Sequence, residues 1–114
     1  MPNAQPRSWS RAAPLFAALG DETRLRVVAR LCKDGPQSIA KLTAGADVTR
    51  QAVSKHLAVL QAAGLVKRTR AGRESVYELA PRRLAEAHRW LDVISAQWDD
   101  TLERLRAFVE DDDA

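Results

Sequence analysis

The sequence predicts a mainly helical fold carrying a two-stranded β-hairpin, and three observations carry that expectation. Apolar residues recur at helical spacing through five stretches. A glycine stop at Gly64 is followed by two short runs of β-formers, Leu65 to Arg70 and Ser75 to Leu79. A last stretch from Arg82 onward keeps its apolar residues three and four apart for most of its length. Helix, turn, helix, glycine stop and basic hairpin are the parts of a winged helix-turn-helix, here extended by a long C-terminal helix. The informative segment is Thr49 to Leu79, TRQAVSKHLAVLQAAGLVKRTRAGRESVYEL.

Ser8 or Ser10 can cap a first helix with Trp9, Ala12, Leu15, Phe16 and Leu19 inside, and Gly20 ends it. Pro14 is tolerated best in a first turn, so it is expected to delay that start. Asp21 caps a second helix from Glu22 to Lys33, with an apolar face of Leu25, Val27, Val28 and Leu31. Asp34-Gly35-Pro36 is a turn. Ser38 caps a short third helix holding Ile39, Ala40 and Leu42, and Gly45 to Val48 form the next turn. Thr49 caps the fourth helix, whose Val53, Leu57 and Leu60 face the core. Gly64 closes it in a left-handed cap. Ala71-Gly72 links the two strands where a hairpin needs positive φ. Pro81 closes the hairpin and Arg82 starts the final helix.

The chain's 114 residues suit one domain. Residues 1–7 are expected to be a flexible N-terminus, 8–110 a single domain including the C-terminal helix 82–110, and 111–114 an acidic tail. Cys32 is the only cysteine, so no internal disulfide is possible and a reducing, cytoplasmic setting fits. Neither a signal peptide nor a membrane-spanning run is visible.

Charge is distributed unevenly. Residues 38–83 carry nine Lys and Arg against three Asp and Glu, a net +6, and residues 84–114 carry three against nine, a net −6. The basic centre suits a polyanion, and the acidic end should point away from one. Charge runs often do no more than solvate a small domain. Here the basic run coincides with the helix and hairpin. Arg50, Gln51, Ser54, Lys55 and His56 crowd the N-terminal half of the fourth helix, and all exchange hydrogen bonds. Arginine reads guanine through two parallel bonds and glutamine does the same with adenine. Thr49, as cap, leaves the helix N-terminus beside a phosphate. Lys67, Arg68, Arg70 and Arg73 make the hairpin a phosphate-gripping arm, although such charges also protect an edge strand from aggregation. Double-stranded DNA is therefore the expected partner.

The last helix carries Leu84, Ala87, Leu91, Ile94, Trp98, Thr101, Leu105 and Phe108 at heptad spacing, widened by Trp90, Leu102 and Val109. A helix packed on its own domain would show a shorter stripe. The expectation is an intersubunit helix, a homodimer, aided by Trp9 and Phe16 of the first helix.

Four motifs then resemble the ArsR-type (arsenic-repressor-like) winged-helix regulators: Leu19-Gly20-Asp21-Glu22-Thr23-Arg24-Leu25-Arg26, Val53-Ser54-Lys55-His56-Leu57, Ala63-Gly64-Leu65-Val66 and Arg70-Ala71-Gly72-Arg73. They occur in family order over roughly residues 15 to 80. The resemblance implies a homodimeric repressor on an inverted-repeat operator, with the positions of Gln51, Ser54 and His56 facing DNA. It also marks departures. Where many members carry a Cys-x-Cys pair this chain reads Gln37 to Thr43 with no thiol, and its last helix has His88 alone. A tetrahedral soft-metal site needs three or four N or S donors. No metal or other cofactor is therefore expected, and Cys32 is read as a small buried hydrophobe. That leaves a small organic inducer, a protein signal or repressor concentration alone as regulator. Concentration is favoured, because no sensing site is visible in the sequence. The alternative function is a winged-helix protein-interaction module without operator binding, which would not need Arg50, Gln51, Lys55 and Arg73 on one face. An enzyme is not expected, since no nucleophile–base pair, phosphate loop or metal set is visible.

Overall fold

The computed structural model describes residues 5–113, with side chains over 9–111. Its elements run α1 (Gln5–Leu19), α2 (Glu22–Asp34), β1 (Gln37–Ser38), α3 (Ile39–Thr43), α4 (Arg50–Ala62), β2 (Val66–Ala71), β3 (Glu74–Leu79) and α5 (Pro81–Asp113).

Three helix starts are fixed by the residues expected to fix them. The side-chain oxygens of Asp21, Ser38 and Thr49 accept from the backbone N–H of Arg24, Lys41 and Ala52. Each satisfies one of the orphan donors of a first turn. The end of α4 is equally explicit. Leu65 N–H donates to the Leu60 carbonyl and Gly64 N–H to that of Gln61, both at 2.9 Å. With Gly64 at φ 78° this is a Schellman ending. Its two flanking leucines, Leu60 and Leu65, are fully buried.

The core gathers Leu15, Val27, Leu31, Leu42, Val53, Leu57, Leu60, Leu65, Val66 and Tyr77, so every element but β1 and α5's outer half contributes. The sheet departs from a plain hairpin. β1 pairs with the free edge of β3, Gln37 opposite Tyr77 and Ser38 opposite Val76, and gives the order β1-β3-β2. Two residues without β-formers leave no strand signal in a sequence. Their effect is to cover an edge that would otherwise present unpaired backbone.

Other expectations are corrected. α1 begins at Gln5, before Ser8 and Ser10, and continues through Pro14. A mid-helix proline ordinarily costs about 3 kcal/mol; the burial of Ala12, Leu15 and Ala18 along one face of α1 offsets it. Residues 1–4 of the predicted flexible terminus, and Ala114 of the predicted tail, lie outside the described residues, while Gln5–Arg7 and Asp111–Asp113 are helical. Leu25 is half exposed and so leaves the apolar face of α2. Cys32 is exposed, not buried. The closing pair of the hairpin is Ala71 with Glu74, so the two-residue turn is Gly72-Arg73 rather than Ala71-Gly72. Only Gly72 has positive φ there, at 65°, as in turns that place glycine at the first central position. Pro81 is itself the first residue of α5, where its missing N–H costs nothing.

α5 is 33 residues long, roughly 50 Å at 1.5 Å per residue. Ala87 is buried in the domain and Leu84 packs against its core. From Leu91 outward the helix leaves the body, which gives the molecule its 70 Å long axis. Among the described residues no helix is long and apolar enough to cross a membrane.

Candidate nucleic-acid interface

The interface builds on α4, whose two sides have opposite duties. Val53, Leu57 and Leu60 are buried. Arg50, Gln51, Ser54 and Lys55 are all exposed. At about 100° per residue these four fall on one continuous arc facing away from the core. Among the described residues none of their side chains makes a hydrogen bond or ion pair. Thr49 is exposed as well, but its hydroxyl is held by the Ala52 N–H at 3.0 Å. It therefore shapes the helix N-terminus and presents that end's free N–H groups.

His56 does not join the arc. It lies on the far side of α4, half-buried, with Nδ1 at 3.2 Å from an Arg24 guanidinium nitrogen. Arginine can only donate, so Nδ1 accepts and the ring proton sits on Nε2. The Asp21 carboxylate is 3.8 Å from the same nitrogen. Arg24 Nε also donates to the Ala18 carbonyl at 2.5 Å, at the C-terminal end of α1. The His56 side chain thus fastens α4 to the α1–α2 corner, away from the arc of exposed polar residues that the sequence placed it with. Asp21 is held below the usual carboxylate range, first by the Arg24 backbone N–H that it accepts and also by the nearby Arg24 charge.

A second fastening sits at the other end of α4. Arg83 of α5 donates through Nε to the Ala63 carbonyl at 3.2 Å, and through Nη1 to Glu86 at 2.6 Å. Its stem lies over Gly64, where a Cβ would meet the Arg83 Cγ at 3.1 Å. The positive φ is what calls for glycine at that position, and a Cβ there would also crowd the Arg83 stem. Arg24 and Arg83 were not singled out from sequence. The available signals were local: Arg24 stands three residues after a capping aspartate, and Arg83 one turn from Glu86.

The wing carries the other basic residues. Lys67, Arg68, Arg70 and Arg73 are all exposed along β2 and the turn. Lys67 faces Glu78 across the sheet at 3.5 Å, and Arg70 Nε donates to the Gly72 carbonyl at 3.4 Å. Arg68 and Arg73 make no hydrogen bond or ion pair among the described residues.

The predicted dimer residues divide. Phe16 and Leu84 pack, partly buried, against the core of their own chain. Trp9 lies on Trp90 with ring centroids 4.4 Å apart. Leu91, Ile94, Trp98, Leu105 and Phe108 are exposed, as are Leu102 and Val109. His88 faces Asp92 at 3.3 Å. Among the described residues no three His, Cys, Asp or Glu side chains gather in one place.

This architecture has relatives. A helix-turn-helix domain family matches residues 19–69. The arsenical resistance operon repressor of Escherichia coli is 33% identical over 95 residues, 83% of this chain and 79% of that one. The chain belongs to the ArsR family. An HTH-type transcriptional regulator of Mycobacterium tuberculosis is 44% identical over 86 residues, 75% of this chain and 77% of that protein. Among solved structures, an ArsR-like transcriptional regulator from Rhodococcus sp. RHA1 superposes with a TM-score of 0.73 at 38% identity, covering 88% of this chain and 93% of its own. A homodimeric winged helix-turn-helix domain from Mycobacterium bovis, 21% identical, shares the fold with a TM-score of 0.63 over 78% of this chain and 82% of that one. Like the rest of the ArsR family, this chain is a DNA-binding transcriptional regulator and not an enzyme.

Proposed function

We propose that the protein is a cytoplasmic, homodimeric repressor that places α4 in the major groove of each half of an inverted-repeat operator. Arg50 and Gln51 read bases, Ser54 and Lys55 flank them, the Thr49-capped helix end meets a phosphate, and Arg68, Arg70, Arg73 and Lys67 grip the neighbouring backbone. The observation that carries this reading is the arc of unpartnered polar side chains on the N-terminal half of α4, beside a wing with two unpartnered arginines. Unpaired donors on a rigid helix are suited to base edges, because no internal bond must break to make the external one.

Dimerisation rests on the apolar stripe of α5 beyond Leu91, which the domain itself leaves uncovered. The homodimeric state named for the Mycobacterium bovis neighbour supports a homodimer without saying which helices form it. Control of the repressor is independent of soft metals. In support, Cys32 is the one thiol in the sequence, and a tetrahedral soft-metal site needs three or four N or S donors.

The test is selection of bound DNA from a random pool followed by footprinting. The expected footprint has two half-sites centred about one helical turn, or a multiple of it, apart. A single unpaired half-site would refute the dimeric reading, and the absence of any salt-dependent DNA binding would refute the assignment of α4.

A further inference from the structure

We propose that the groove between α1 and α5 is a binding site for a small aromatic carboxylate, and that its occupancy reaches the reading helix. The cavity measures about 410 Å³ and is lined by Arg11, Glu86, Arg89, Trp90 and Val93. That volume suits a small organic molecule. Among the described residues, neither Arg11 nor Arg89 makes a hydrogen bond or ion pair. Glu86, the one carboxylate among the described residues of the wall, is already engaged by Arg83 at 2.6 Å. Two arginines therefore line a shared space with no anion among the described residues assigned to them. A carboxylate answers this arrangement, because a guanidinium holds it through two parallel N–H···O bonds. The remaining wall is apolar and flat: the Trp90 indole, steadied by Trp9, and the Val93 side chain. An aromatic ring stacks on an indole. The two walls together select a molecule with a ring at one end and a carboxylate at the other.

The cavity is compatible with the proposed dimer. At about 100° per residue, Glu86, Arg89 and Val93 lie on the side of α5 roughly opposite Leu91, Trp98 and Leu102, with Trp90 and Ile94 at the border between the two sides. It is also wired to α4. Glu86 holds Arg83, and Arg83 holds the Ala63 carbonyl at the end of the reading helix. A bound carboxylate repels Glu86 and loosens that chain of contacts. No sequence pattern reveals the site, because Arg11 and Arg89 come from opposite ends of the chain. The effect on DNA rests on the reading of α4 given above, whereas occupancy does not.

Calorimetric titration of the DNA-free protein tests occupancy, using 1-naphthoate beside naphthalene-1-carboxamide and inorganic phosphate. Saturable 1-naphthoate binding is expected, with the neutral amide, the ringless anion and the Arg11→Gln/Arg89→Gln variant each weaker by about tenfold or more. Both arginines are exposed, so the variant should keep its circular dichroism and Tm. Val93→Trp, which fills the cavity without changing charge, should also weaken binding. No saturable 1-naphthoate binding, equal binding of the amide, or undiminished binding in both variants would overturn the site. Gel shifts on a pool-selected DNA fragment then read the coupling. 1-Naphthoate should weaken DNA binding several-fold in the wild type and leave the Arg11→Gln/Arg89→Gln variant unaffected. Calorimetric binding with unchanged DNA affinity overturns the coupling. A wild type that binds no DNA even without 1-naphthoate overturns the α4 reading instead.

Discussion

Leu91→Ala/Ile94→Ala is expected to break the dimer while leaving each protomer folded. In the single chain Leu91 is 51% exposed and Ile94 43%. Complete burial of such a side chain is worth about 1.5–3 kcal/mol, so covering the exposed half contributes roughly 1 kcal/mol per residue. A two-fold interface contains each residue twice. The double variant therefore removes about four such contributions, roughly 4 kcal/mol, or on the order of a thousandfold in the dimer dissociation constant. The deleted atoms are only about half covered in the protomer, so monomer stability should fall by less than the dimer does. Leu57, with 0% exposure, is the contrast: Leu57→Ala leaves a cavity and should cost about 2–5 kcal/mol of folding stability. Sedimentation equilibrium across a wide concentration range measures the first effect, and chemical denaturation at low concentration the second. A double variant that sediments as the wild type would remove the α5 stripe from the interface. One that loses its fold would show that the stripe is needed within the protomer.

Other perturbations separate the remaining roles. Arg50→Ala and Gln51→Ala should relax base discrimination by about 1–3 kcal/mol per bidentate contact. Arg68→Ala should instead weaken all DNA alike and lower the salt slope by about one, with Lys67→Ala milder because Glu78 already faces it; competition binding at several salt concentrations distinguishes the two patterns. Zinc, cadmium and arsenite should not release DNA, and stoichiometric release that vanishes in Cys32→Ser would refute metal independence. Asp21 has its pKa lowered by folding, so its capping contribution is complete above the ordinary carboxylate pKa and disappears as pH falls through the lowered one. Asp21→Asn, which cannot ionise, should therefore lose part of the acid limb of the pH–stability curve, as read by urea denaturation; an unchanged limb would assign it to other carboxylates. Arg83→Lys keeps the charge but loses the planar fork. It should lower Tm and DNA affinity with the salt slope unchanged, whereas a phosphate contact at Arg83 would predict near-wild-type stability.

Much of this architecture was legible because local chemistry and tertiary structure agree. Asp21, Ser38 and Thr49 cap helices in isolation and in the fold, and Gly64 supplies a conformation that other residues reach only with strain. What escaped was decided by partners distant in sequence. β1 exists because β3 offers an edge to Gln37 and Ser38. α1 passes through Pro14 because Leu15 and Ala18 are buried against the rest of the domain. His56 sits in the stretch that reads as DNA-facing, yet its position around α4 turns it towards Arg24, 32 residues earlier. Helical phase, not the list of polar residues, separates it from Gln51 and Lys55.

The same distinction changes how the basic charge should be counted. Residues 38–83 carry a net +6, but Arg83 faces Glu86 and an internal carbonyl, and Lys67 is shared with Glu78. Just outside that stretch, Arg24 is turned onto the carbonyls of Ala17 and Ala18. The charges free to meet phosphate are concentrated at the start of α4 and on the wing. Arginines whose donors end on backbone carbonyls add little to a salt-dependent affinity, since they release few counterions on binding. What they add is direction. Arg24 and His56 hold one flank of α4, and Arg83 holds its end against α5. In the proposed dimer, the pairing of two α5 helices then sets the separation of two reading helices. Specificity for a half-site spacing would follow from those internal arginines as much as from the exposed ones proposed to touch DNA.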